Sequence, residues 1–163
     1  MSFTPSENLK QEVAELLTHY PEDEQRSASL MVLHAIQSEA GYISKEAMQW
    51  AAGEIGLQPL NLYELVTFYP LLREEPPGKY VLKVCRTLSC ALAGGMDLHK
   101  SLCNKLKLDP KKHGLQTTED KKFSIEFAEC LASCGTGPVM MCNDDFYEAV
   151  DNAKADEILG GCE

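Results

Sequence analysis

The chain has 163 residues, 44% of them hydrophobic and 25% charged. This is the composition of a soluble globular protein with room for one generous domain or two small ones. A formal net charge of −10, with no basic stripe interleaved with aromatics, excludes nucleic acid as a partner. No apolar run approaches the ~18 residues of a membrane span. The opening MSFTPSENLKQEV also lacks the basic start and apolar centre of an export signal, so no direct membrane insertion is expected.

Residues 1–75 contain no cysteine and read as a small helical bundle. Leu9, Val13, Leu16 and Leu17 recur at helical spacing after Ser6, a residue suited to accept a first-turn N–H. A second helix runs through Leu30, Leu33, His34 and Ile36 and stops near Gly41. Ser44 begins a third, residues 45–55, which Gly56 closes. A fourth starts at Pro59 or Asn61 and runs to Tyr69, where Pro70 ends it. Such helices suggest packing and docking rather than chemistry.

The polar, proline-rich stretch 73–78 marks a boundary, and residues 76–163 read as an α/β domain. The run 80–84 is a strand rich in β-branched residues that delivers Cys85. One helical stretch from about Ala91 to Lys107 follows, with Cys103 on a stripe shared with Leu92, Met96, His99 and Leu106. His113-Gly114 breaks the chain, and 123–127 alternates as a strand that delivers Cys130. Short strands at 139–142 and 146–147 and a closing helix at 153–159 complete the domain. The expected fold class is therefore α+β: a helical bundle, then a short mixed sheet with helices on it. Both cysteine pairs are expected in loops just after strands, at one edge of the sheet.

Seven cysteines are many for a chain without an export signal, and clustered cysteines in a reducing compartment argue for metal or catalysis over disulfides. Four of them form two pairs, Cys85-x4-Cys90 and Cys130-x3-Cys134, about forty residues apart. Thiolates select iron–sulfur clusters, zinc or copper(I), and a binuclear [2Fe–2S] centre takes four of them. Iron–sulfur chemistry leads; a structural zinc module and a thiol redox sensor remain as alternatives. Cys103, Cys142 and Cys162 are treated as spare. Gly135 and Gly137 beside Cys134 permit close backbone approach, while Thr87 and Ser89 lie where a hydroxyl can reach sulfur. Residues 71–122 hold 11 Lys+Arg against 6 Asp+Glu, and Arg86 is positioned to favour reduction of an anionic cluster. There is no G-x-G-x-x-G or P-loop motif. A chain that handles single electrons without a donor site reads as one component of a larger enzyme.

These residues resemble the family of the 24-kilodalton subunit of respiratory complex I, the NADH-quinone oxidoreductase; that family is a thioredoxin-like [2Fe–2S] ferredoxin. The resemblance rests on the two spacings, on Val66-Thr67-Phe68-Tyr69 and Pro77-Gly78-Lys79-Tyr80, on the segment 117–123 before the third cysteine, and on Asn143-Asp144-Asp145-Phe146-Tyr147. It implies a thioredoxin-like domain on which Cys85, Cys90, Cys130 and Cys134 ligate one [2Fe–2S] cluster. It implies a partner subunit that bears FMN and binds NADH, with the helical residues packed on it. The chain would then belong to an oxidoreductase without holding the NADH site, placed in the cytoplasm on the inner face of the cell membrane as part of a larger complex. The small subunits of NAD-linked hydrogenases and formate dehydrogenases share the pattern. One departure stands out: Ala132 occupies a place between the last two cysteines where the family usually has glycine.

Overall fold

The computed structural model describes residues 3–163, and the chain divides between Pro76 and Pro77 into two units. The first is helical. Helix α1 (Glu7–Thr18) starts where the Ser6 hydroxyl accepts the Leu9 N–H at 3.1 Å, and it buries Leu9 and Val13. Helix α2 (Ser29–Ala40) ends at Gly41, whose φ of +80° only glycine adopts without strain. A short 3-10 turn, Gln25–Ala28, leads into it and has no clear sequence signal. Ser44 caps α3 (Lys45–Ile55) by accepting the Ala47 N–H at 3.1 Å. Helix α4 (Pro59–Phe68) has proline at its first position, where the missing N–H costs nothing. Val32, Leu33, Ile36, Ile43, Ala51 and Leu62 form the centre of this core. The Gln37 side chain clamps the segment after α4, donating to the Leu71 carbonyl at 2.8 Å and accepting the Arg73 N–H at 2.7 Å.

The second unit is a five-stranded mixed sheet with helices on it. Its strands are β1 (Tyr80–Cys85), β2 (Gln116–Thr117), β3 (Phe123–Ala128), β4 (Met140–Cys142) and β5 (Asp145–Tyr147), in the order β2-β3-β1-β4-β5. Strands β1 and β3 run parallel, and the other pairings are antiparallel. Alternation along β1 sends Leu82 and Val84 into a core with Ile125 and Met140. Leu98, Leu102 and Cys103 from helix α6 (Gly95–Lys105), and Ala155 and Ile158 from helix α7 (Asn152–Gly160), complete that core. Cys85, one residue beyond Val84, falls on the other face of the strand and joins Cys90, Leu131 and Val139.

The single helix expected over 91–107 is instead two. Helix α5 (Leu88–Leu92) stops, Gly94 turns the chain at φ +101°, and α6 begins afresh. The expected stripe fails with it: His99 and Cys103 are buried, but Leu92 is 80% and Met96 49% exposed. A left-handed residue resets the helical phase, so spacing counted across it loses meaning.

Candidate metal centre

Strand register gathers the cysteines. Parallel pairing sets Cys85 opposite Ala128, so the segment carrying Cys130 and Cys134 leaves the sheet where β1 ends. Strand β4 begins at the same edge, with the Cys85 N–H donating to the Val139 carbonyl at 3.1 Å. Cys85 is the last residue of β1, and Cys90 lies in α5 rather than in the expected loop.

Each sulfur has a distinct environment. Cys85 is 2% exposed, and burial works to raise its thiol. The Thr87 hydroxyl, 3.1 Å from Cys85 Sγ, outweighs that together with the Thr87 and Leu131 N–H groups and the Cys90 thiol, so the net shift is downward. Cys90 is pushed up by burial, with Cys85 and Cys134 acting in the same direction against one N–H from Val139. Cys130 and Cys134 are exposed, and Cys130 Sγ accepts the Ala132 N–H at 3.3 Å. Of the two expected hydroxyls, Thr87 meets sulfur, while Ser89 is solvent-facing. Gly137 is the close-approach glycine, since a Cβ there would sit 3.3 Å from Ala93 Cβ and 3.4 Å from Cys90 Sγ. Gly135 has open space around it.

Arg86, expected to favour reduction of an anionic cluster, has partners of its own beside the site. It forms an ion pair with Glu129, and its guanidinium lies over the Phe127 ring, 5.7 Å from the centroid. The pair forms because Glu129, next to Cys130, follows the end of β3 beside Arg86.

Ala132 holds φ at +58°, the left-handed region that glycine enters freely and a Cβ resists. This gives the departure from the family's usual glycine a physical meaning. Ala132→Gly should raise stability by up to about 1 kcal/mol, offset in part by the looser unfolded chain. Urea denaturation of the second unit checks this, and an unchanged or lower midpoint would count against strain at Ala132.

Glu148, which carries no sequence signal of a role here, ties the same loop down. Its carboxylate accepts from the Ser133 hydroxyl at 2.6 Å and the Thr136 hydroxyl at 2.7 Å, which hold it below the usual carboxylate range. Glu148→Gln should loosen residues 133–136, remove a negative charge near the cysteines and raise the midpoint potential of a bound cluster. Redox titration reads this directly, and an unmoved potential would reduce Glu148 to a surface contact.

The donor set fits a binuclear cluster. All four thiols are free of disulfides, and backbone or hydroxyl donors already point at three of the four sulfurs, as anionic thiolates require. Among the described residues, no three Cys, His, Asp or Glu side chains converge as ligands of one ion. Two irons take their ligands in pairs; Cys85 and Cys90 meet as one pair, and Cys134 lies near Cys90.

A thioredoxin-like sheet with cysteine-bearing segments meeting at one edge defines the class of thioredoxin-like ferredoxins. The chain belongs to the thioredoxin-like [2Fe–2S] ferredoxin family, whose sequence model matches residues 13–163. The E-type subunit of NADH-quinone oxidoreductase from Rickettsia typhi is 34% identical over 145 residues, covering 88% of this chain and 83% of the relative. NADH-quinone oxidoreductase subunit 2 of Thermus thermophilus is 36% identical over 148 residues, covering 90% and 80%. The air-oxidised crystal structure of an NAD+-reducing [NiFe]-hydrogenase shares the fold at a TM-score of 0.69 and 20% identity. That match covers 81% of this chain and 22% of the hydrogenase chain.

Proposed function

We propose that this chain is the electron-transfer subunit of the NADH dehydrogenase module of respiratory complex I. In this reading one [2Fe–2S] cluster rests on Cys85, Cys90, Cys130 and Cys134 and exchanges single electrons with FMN on an NADH-binding partner subunit. The carrying observation is the coincidence of family membership with four unbridged thiols at one sheet edge, three of their sulfurs already met by hydrogen-bond donors. When bound, the cluster supplies a one-electron couple whose potential follows hydrogen bonding, charge and exposure at the sulfurs. The chain's own residues set those terms. Thr87 and Leu131 donate to Cys85, Val139 donates to Cys90, and Glu148 fixes the loop that bears Cys134.

The partner carries the flavin and nucleotide in this reading, because neither phosphate-binding motif occurs here. Residues 1–75 form the docking unit in this reading, a role supported by the exposed side chains of Leu60 (63%), Phe68 (76%) and Leu71 (56%), with Met31, Tyr63 and Tyr69 also exposed. Among the described residues no helix is long and apolar enough to cross a membrane. In this reading the partner assembly supplies the attachment to the cytoplasmic face of the cell membrane. The test is reduction by NADH under anaerobic conditions. The holo chain alone should stay oxidised and become reduced once the co-expressed flavoprotein is added. Rapid reduction without a flavoprotein, or none with it, would refute the proposal.

A further inference from the structure

We infer that Cys142 and Cys162 are a reversible disulfide-forming pair, separate from the four cluster thiols, that takes low-molecular-weight disulfides such as oxidised glutathione as its oxidant. Three cysteines lie outside the proposed centre, and they differ in their surroundings. Cys103 is buried against His99, with no second thiol facing it. Cys142 and Cys162 face each other with their sulfurs 3.9 Å apart, although they come from β4 and from the segment after α7.

The tail that brings Cys162 there is fastened on both sides. The Glu163 backbone oxygen accepts from Lys79 Nζ at 2.6 Å and from the Tyr80 hydroxyl at 2.9 Å. The Cys162 thiol donates to the Ile158 carbonyl at 3.2 Å. A disulfide needs the sulfurs at about 2 Å, so one of them must move. Cys142 is fixed in the sheet opposite Leu82, whereas Cys162 lies after α7, outside the strands, and can turn its thiol away from the Ile158 carbonyl. The adjustment falls on Cys162. Cys142 and Cys162, 5% and 8% exposed, help line a surface cleft with Tyr80, Asp145, Tyr147 and Lys154, the side from which a small disulfide would approach.

The exchange balances as follows. Cys162 loses its proton to solvent, and its sulfur attacks the small disulfide. The reagent's S–S bond breaks, one thiolate leaves, and a mixed disulfide forms on Cys162. Cys142 then loses its proton to solvent and attacks Cys162 Sγ, and the second small thiolate leaves. Two protein thiols are oxidised, and one small disulfide is reduced to two thiols. Burial, followed by the charge of Cys162, pushes the Cys142 thiol up to about 12. The mixed disulfide removes that charge but not the burial, so the attack by Cys142 is the slower of the two steps.

The experiment exposes the anaerobically isolated holo protein to oxidised glutathione, quenches with an alkylating agent and maps peptides without reductant. The expected result is a linked peptide joining Cys142 to Cys162, both positions lost to alkylation, an unchanged cluster spectrum and full reversal by dithiothreitol. Cys142→Ser should instead trap glutathione on Cys162. The inference is overturned if both thiols still alkylate in the wild-type chain, if an adduct on Cys162 persists unresolved, or if the link forms to Cys85, Cys90, Cys130 or Cys134. Wild-type mapping decides the matter even where the variant fails to fold.

Discussion

Cys130→Ser is expected to remove nearly all of the paramagnetic signal of the reduced protein, whereas Cys103→Ser should leave it intact. Cys130 is exposed, and among the described residues its thiol is met only by the Ala132 N–H, so packing has little use for it. Exchanging sulfur for a harder oxygen removes one of four soft donors. Cys103 is fully buried in α6, and its sulfur stands 3.7 Å from the His99 ring nitrogens. A serine there buries a hydroxyl beside His99 in place of the thiol and should cost about 1–3 kcal/mol. Spin counting and urea denaturation separate the two effects. Loss of the signal in a folded Cys103→Ser protein would overturn the ligand assignment.

Gly95→Ala should damage the site from outside it. An added Cβ would lie 2.8 Å from the Cys85 carbonyl oxygen and 2.8 Å from the Cys90 carbonyl oxygen. Both obstacles are backbone, so no flexible side chain can give way, and the first cysteine pair must spread. Overpacking of this kind costs about 1–3 kcal/mol. Cluster occupancy should fall in step with stability. Gly53→Ala is the matching control: Gly53 is exposed in α3 with nothing within 4 Å of the added Cβ. Alanine there should be neutral or stabilise by about 0.5–1 kcal/mol through helix propensity. Equal stability of the Gly95→Ala protein and the parent, with full occupancy, would show that the close approach does not constrain the pair.

Local chemistry was the readable part of this chain. Ser6, Ser44, Gly41 and Gly56 bound their helices as residues of those types do, because a cap depends on only a few neighbouring groups. Strands β1 and β3 were visible from β-branched enrichment and alternation, and the α+β arrangement followed. The four cysteines were singled out by number and spacing alone. The break at Gly94 had a signal in the Gly94-Gly95 pair, a dipeptide that marks turns, and the turn serves the packing of Gly95 on the first cysteine pair. Glu148, by contrast, was hidden. It lies 14 residues after Cys134 in the chain, and only the β4–β5 hairpin carries it back to Ser133 and Thr136. The pairing of Arg86 with Glu129 and of Cys142 with Cys162 also depends on register, which spacing does not encode.

The departure at Ala132 links the two levels. The resemblance leads to an expectation of glycine here, and a φ of +58° is a backbone conformation that glycine meets without strain. The loop from Cys130 to Cys134 has little apolar burial of its own, with Leu131 as its contribution to the small cluster around Cys85, Cys90 and Val139. Its order should depend on the bound cluster and on Glu148 more than on packing.

The most direct test of the electron-carrier account is low-temperature EPR of the anaerobically purified, dithionite-reduced chain, with spins counted against protein and iron. The account predicts a spin-half signal integrating to about one per chain, as one four-thiolate [2Fe–2S] centre gives on one-electron reduction. An EPR-silent protein that contains about one zinc and no acid-labile sulfide would contradict it.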